Sequence, residues 1–65
     1  MPAVLDCDSF DVMYMTPDRF IQMKEFPQLA DAIEFIHTEV ERGSSDFDLT
    51  GWHHEEGIDL NHLII

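Results

Sequence analysis

The densest run of reactive side chains is "GWHHEEG", Gly51 to Gly57. Two adjacent histidines suggest zinc, which takes three or four convergent donors. Beyond His53 and His54 the donors on offer are His62, nine residues from His53, and the distant Cys7. Successive residues of a strand point to opposite faces, so His53 and His54 reach one ion only if the turn distorts. Ordinary turn and surface histidines are the expectation, and no metal is expected. Glu55 and Glu56 are a carboxylate pair, yet adjacency does not aim two carboxylates at one substrate atom, which acid–base catalysis demands. Asp6, Asp8 and Asp11 alternate in "LDCDSFD" as calcium ligands do, without the glycine turn and terminal bidentate glutamate of a calcium loop. Cys7 stands between acids, which disfavour its thiolate. Glycines 43, 51 and 57 form no phosphate-cradling motif. The sequence predicts no catalytic residue and no cofactor.

The elements that would carry these residues follow from periodicity. "SFDVMYM", Ser9 to Met15, alternates as a strand, with Phe10, Val12 and Tyr14 on one face and Asp11, Met13 and Met15 on the other. Leu5 and Cys7 have the opposite parity to Phe10, so a bend or bulge is expected near Ser9. Thr16-Pro17-Asp18 reads two ways. It is a turn between strands, with Pro17 fixing φ, or a helix start with Thr16 as N-cap and Pro17 at the first helical position. "RFIQMKEF" leaves residues 17–25 open to strand or helix, because Ile21 and Met23 alternate while Phe20, Met23 and Lys24 suit a helix; the hairpin is preferred.

Pro27 is expected to begin a helix. At about 100° per residue, Leu29, Ala32, Ile33, Ile36 and Val40 fall in one sector as a core stripe. Asp31, Glu34, Thr38 and Glu41 fall opposite. His37 lies beside the stripe as a packing or hydrogen-bonding residue. Phe35 sits between stripe and acids, beside Arg42, as a lid over the core edge or an interface anchor. Gly43 is the C-cap, and Ser44 and Ser45 carry the loop. "DFDLTGW" then alternates Phe47 and Leu49 against Asp46, Asp48 and Thr50, with Trp52 partly exposed. "HHEEG" is a polar turn, and "IDLNHLII" a strand alternating Ile58, Leu60 and His62. The fold class predicted is α+β, a small antiparallel sheet with one amphipathic helix packed on it. Residues 1–65 are expected to form a single compact domain.

Charge is the dominant compositional feature. Fourteen acids face three bases, Arg19, Lys24 and Arg42, for a formal net charge of −11. Pairing every base still leaves eleven carboxylates without a cation. Such an excess repels itself and destabilises the compact state, and solubility alone needs a magnitude of only about 2 to 8. An apolar content of 45%, with five Phe, one Tyr and one Trp, argues for an ordered chain against disorder. A single cysteine allows no internal disulfide, which fits a reducing cytoplasm. The start "MPAVLDCD" lacks a basic flank and an apolar signal core, so neither secretion nor a membrane anchor is expected. Direct binding to DNA, RNA or an anionic membrane is disfavoured, because each would repel this surface.

Residues three and four apart on a helix place their Cβ atoms about 5–6 Å from each other, and a DNA strand advances about 3.4 Å along its axis per phosphate while winding around it. Asp31, Glu34 and Glu41 are therefore candidates to stand in for phosphates, joined by Asp46, Asp48, Glu55 and Glu56. In size and charge the chain resembles the short acidic anti-CRISPR proteins of bacteriophages, particularly those acting on type I systems such as I-C. That resemblance implies a non-catalytic phage inhibitor of a CRISPR–Cas effector complex. It implies a monomer in the bacterial cytoplasm that binds a basic DNA-recognition surface beside the protospacer-adjacent motif. The order of elements around "FPQLADAIEFI" also looks like a phage inhibitor of bacterial RNA polymerase and the antitoxin of one toxin–antitoxin family. The alternative is an antitoxin, or an inhibitor of another host nucleic-acid-binding protein such as RNA polymerase; an antitoxin or structural subunit would bind one cognate protein through an apolar edge strand such as "IDLNHLII".

Overall fold

Phe10, Val12 and Tyr14 are all buried, and the strand that carries them, β1 (Ser9–Met15), lies in the interior of the sheet. A computed structural model describes residues 7–64, so Leu5 and Asp6 lie outside the described residues. The chain continues through β2 (Ile21–Phe26), α1 (Leu29–Arg42), β3 (Ser45–His53) and β4 (Glu56–Asp59), and ends in a short 3-10 turn, Asn61–Leu63. The four strands make one antiparallel sheet in the order β2-β1-β3-β4. With one helix across it, the protein is α+β as the periodicity predicts.

The Thr16-Pro17-Asp18 ambiguity resolves as a hairpin. Thr16 N donates to Phe20 O at 2.8 Å, closing a three-residue loop of Pro17, Asp18 and Arg19. Arg19 takes φ 70°, the left-handed residue that such loops need to match the strand twist. Residues 21–26 are therefore strand. The chain bends at Asp8, beside Ser9 as expected, and a second irregularity lies between Met13 and Met15, where the register against β3 shifts.

Helix α1 starts at Leu29, two residues after Pro27, with Gln28 as its N-cap in an extended conformation. It stops at Gly43, whose φ of 98° is open to glycine at little cost. Ser44 N donates to Glu39 O and Gly43 N to Val40 O, so the last carbonyls are satisfied in the Schellman manner. Ser45 already belongs to β3, which leaves Ser44 alone, buried, between helix and strand.

The helix is rolled relative to its sequence stripe. Ala32, Ile36 and Glu39 are its buried residues, while Val40 is 55% exposed. The centre of the buried sector sits roughly 50° from that of the expected stripe, at 100° per residue. The cause is aromatic. Phe35 meets Tyr14 edge-on at 5.3 Å and Phe26 at 5.2 Å, and Tyr14 stacks on Phe47 at 5.9 Å. Drawing Phe35 onto the sheet turns Val40 out and Glu39 in. Phe35 is thus the lid over the core edge.

The C-terminal segment is shorter as a strand than "IDLNHLII" suggests. β4 stops at Asp59, and the Asn61 side chain then takes over the pairing role. Its Oδ1 accepts from Leu49 N at 2.8 Å, while Leu60 N donates to Leu49 O at 3.0 Å. Leu60 is fully buried and plugs the core beside Gly51. A Cβ added at Gly51 would lie 2.8 Å from Leu60 Cδ1 and 2.7 Å from Cys7 Sγ. Gly51→Ala is therefore expected to cost about 1–3 kcal/mol by overpacking, whereas Val40→Lys should stay within about 0.5 kcal/mol. Urea denaturation of the two variants beside the parent checks both, and a damaging Val40→Lys would contradict the rolled helix.

Candidate functional site

The pleat sends alternate residues of each strand to opposite faces, and α1 covers only the face of Phe10, Val12, Tyr14 and Leu49. The other face carries Asp11, Met13 and Met15 of β1, Ile21, Met23 and Glu25 of β2, Asp48, Thr50 and Trp52 of β3, and Asp59 of β4. No described element lies across it. Its rungs are ordered by register. One rung runs Glu25, Asp11, Thr50, Asp59 across all four strands. The next places Met13 between Met23 and Asp48, and the last pairs Met15 with Ile21. The result is an apolar bed on the β1–β2 side bordered by four carboxylates.

Three of those carboxylates are held by neutral donors. Trp52 Nε1 donates to Asp11 Oδ2 at 2.8 Å, and the Trp52 ring lies over Gly57, 3.1 Å from where a Cβ would stand. Asn61 Nδ2 donates to Asp48 Oδ1 at 2.9 Å and to Asp59 Oδ1 at 2.8 Å, and Asn61 N donates to Asp59 Oδ1 at 2.9 Å. A neutral donor fixes the direction of a carboxylate and leaves its negative charge uncancelled. Charge and order are combined at this face. Asp11 and Glu25, moreover, are direct cross-strand partners. Like charges placed opposite each other destabilise a sheet.

The seven acids picked from the sequence are all exposed but do not form one patch. Asp31, Glu34 and Glu41 ride on α1, on one side of the sheet. Asp48 belongs to the opposite, open face. Asp46 lies near the start of β3 with φ 57°, and Glu55 and Glu56 sit at the β3–β4 hairpin. Asp11, Glu25 and Asp59 complete the open face and were not among the candidates. Alternation put Asp11 opposite the core residues of β1, but the register that brings it beside Glu25 and Thr50 is a tertiary fact. Of the thirteen acids among the described residues, Glu39 is buried, Asp11 is half-buried and the other eleven are exposed.

Among the described residues Glu39 is the one acid taken inside, and the sequence stripe gave no sign of it. Its Oε1 accepts from Ser44 Oγ at 2.9 Å and its Oε2 from Arg42 Nη1 at 3.1 Å. The Ser44 hydrogen bond is the main reason its pKa lies below the usual glutamate value; burial opposes this, and the charges of Arg42 and Lys24 add to the lowering. Arg42–Glu39 is the one ion pair between described residues. Lys24 Nζ instead sits 5.2 Å from the centroid of Phe35, a cation–π distance. An open cleft of about 460 Å³ lies here, lined by Tyr14, Gln22, Lys24, Phe35, Glu39, Arg42 and the Thr16–Asp18 turn. Its two bases are balanced by Glu39 and Asp18, so it offers no net charge to a ligand.

The histidines of "GWHHEEG" do meet, with ring centroids 4.4 Å apart, because His54 takes φ 56° in the two-residue turn between paired His53 and Glu56. Among the described residues no three His, Cys, Asp or Glu side chains are grouped to hold a metal ion. Among the same residues no helix is long and apolar enough to cross a membrane. Comparison with protein-family models, curated proteins and solved structures finds no match.

Glu39 yields a pH prediction. A carboxyl whose folded pKa is lowered stabilises the fold fully above its unfolded value, about 4.3 for glutamate, and loses that contribution as pH falls through the folded value. Glu39→Gln should therefore be less stable than the parent at pH 7, and the gap should close as pH drops below about 4. Denaturation midpoints of both proteins across pH 3–7 measure it; a gap independent of pH would remove the ionised carboxylate from the account.

Proposed function

We propose that the protein is a non-catalytic inhibitor that binds a cationic nucleic-acid-binding surface of a bacterial protein complex, its carboxylates occupying the places of phosphates. A CRISPR–Cas effector is the target that the likeness in size and charge favours, and RNA polymerase is the next. One observation carries the reading. Asp11, Asp48 and Asp59 are pinned on one sheet face by Trp52 and Asn61, with Glu25 set directly against Asp11 and no cation between them. A sheet under selection for stability alone would place a lysine at one of those positions. Local rules are broken most often where function needs it.

The spacing supports the same reading. Neighbouring strands stand about 4.8 Å apart and successive residues on one face about 6.7 Å, a grid on which carboxylates sit as densely as phosphates along a nucleic-acid strand. Association with a cationic groove is steered by charge and is screened over about 10 Å at 0.1 M salt.

The test is capture of partners from bacterial lysate on the immobilised protein, followed by DNA competition on the captured complex. Displacement of duplex DNA and an affinity that falls with ionic strength are expected. A ternary complex with DNA still bound, or an affinity flat across the salt series, would sink the proposal. Glu25→Lys separates function from folding. It should stabilise the chain by about 0.2–1 kcal/mol through a new pair with Asp11, yet weaken inhibition several-fold. Equal inhibition by the more stable variant would take the open face out of the site.

A further inference from the structure

We infer that the apolar bed of Met13, Met15, Ile21 and Met23 seats a basic amphipathic helix of the partner protein. The inference rests on the cationic partner proposed above and makes the sheet, in place of α1, the surface that touches it.

The bed is open to solvent. Met23 is 67% exposed, Ile21 59% and Met13 42%, with Met15 half-buried between them. The four residues occupy two consecutive rungs of the same two strands. Their positions are therefore about 4.8 Å apart across the sheet and about 6.7 Å along it. Side chains at i, i+3 and i+4 of a helix are about 5–6 Å apart, so one apolar helical stripe fits the bed. Contiguous apolar surface of this kind on a small protein marks a contact site. Methionine supplies most of it, and its unbranched, polarizable chain moulds to differently shaped apolar partners.

The border sets the sign of the occupant. Asp11, Glu25 and Asp48 flank Met13 and Met23; Lys24 lies over Phe35 on the helix side and Arg42 pairs with Glu39, while Arg19, in the β1–β2 turn beyond the Met15–Ile21 rung, is the single base at the far end of the bed, beside Asp18 of the same turn. A helix with an apolar stripe flanked by lysine or arginine complements both parts. A second copy does not. Two open faces in contact would set Asp11, Glu25 and Asp48 against their own images and double a formal charge that is already −11. α1 on one face and the partner's helix on the other would complete a three-layer sandwich.

A synthetic peptide with leucine at i, i+3, i+4 and i+7 and lysine elsewhere is the probe, and its scramble, equal in charge and composition, is the control. The striped peptide should bind the full chain about tenfold more tightly than the scramble, which is the scale of burying part of two methionine side chains. Its binding should also slow oxidation of Met13 and Met23 to sulfoxide by hydrogen peroxide, read by mass spectrometry. Met13→Ser combined with Met23→Ser should abolish the preference and leave scramble binding unchanged. Both sites are exposed, and an unchanged denaturation midpoint verifies the fold. Equal affinity for the two peptides overturns the inference, as does protection that spares Met13 and Met23. A dimer of the free chain that the double variant dissolves also overturns it, because the occupant would then be a second copy. If the lysate competition fails while the striped preference holds, only the nucleic-acid target is lost. If DNA is displaced and the peptides bind equally, only the seat on the sheet is lost.

Discussion

One helix can cover one face of a four-stranded sheet, and every surface property of this protein descends from that limit. Ala32 and Ile36 bury themselves against Phe10, Val12, Tyr14 and Leu49, and Leu60 closes the end of the same core. After α1 the described chain forms β3, β4 and a short 3-10 turn, and none of these lies across the second face. Among the described residues nothing covers that face. A larger domain would cover it with another helix; here it holds methionines, isoleucine and acids side by side.

The placement of charge follows a consistent division. The one buried acid among the described residues, Glu39, receives both a hydroxyl donor and a guanidinium, which is what a carboxylate removed from water requires. Three of the four acids on the open face receive neutral donors. Trp52 and Asn61 orient Asp11, Asp48 and Asp59 without discharging them. Of the three bases, Arg42 and Lys24 are engaged on the helix side, at Glu39 and the Phe35 ring. The two faces of the sheet thus differ in chemistry as well as in cover.

This division costs stability. A chain of this length has only a few kcal/mol to spare, and the Asp11–Glu25 rung, the exposed methionines and the unpaired outer side of β2 each draw on it. β2 is six residues long and lies at the edge, where exposed strands invite pairing with other chains. Its Lys24 and Glu25 and the high net charge of the whole chain oppose self-association through that edge.

Local patterns were legible in the sequence where one residue's neighbours decide its state. Alternation set both faces of β1, and Gly43 marked the helix end. The Pro17 turn was legible as one of two options. The tertiary structure alone decided the rest. Phe35 rolled α1 by packing on Tyr14 and Phe26, which exchanged Val40 for Glu39 at the core, because contact energy between distant aromatics outweighs the symmetry of a stripe. Asn61 ended β4 early by supplying the Leu49 partner from a side chain. The strand order β2-β1-β3-β4 put Glu25 against Asp11, and Asp48 with Met13, on a single face. Register and packing angle depend on residues far apart in the chain, and periodicity, being local, holds no information about them.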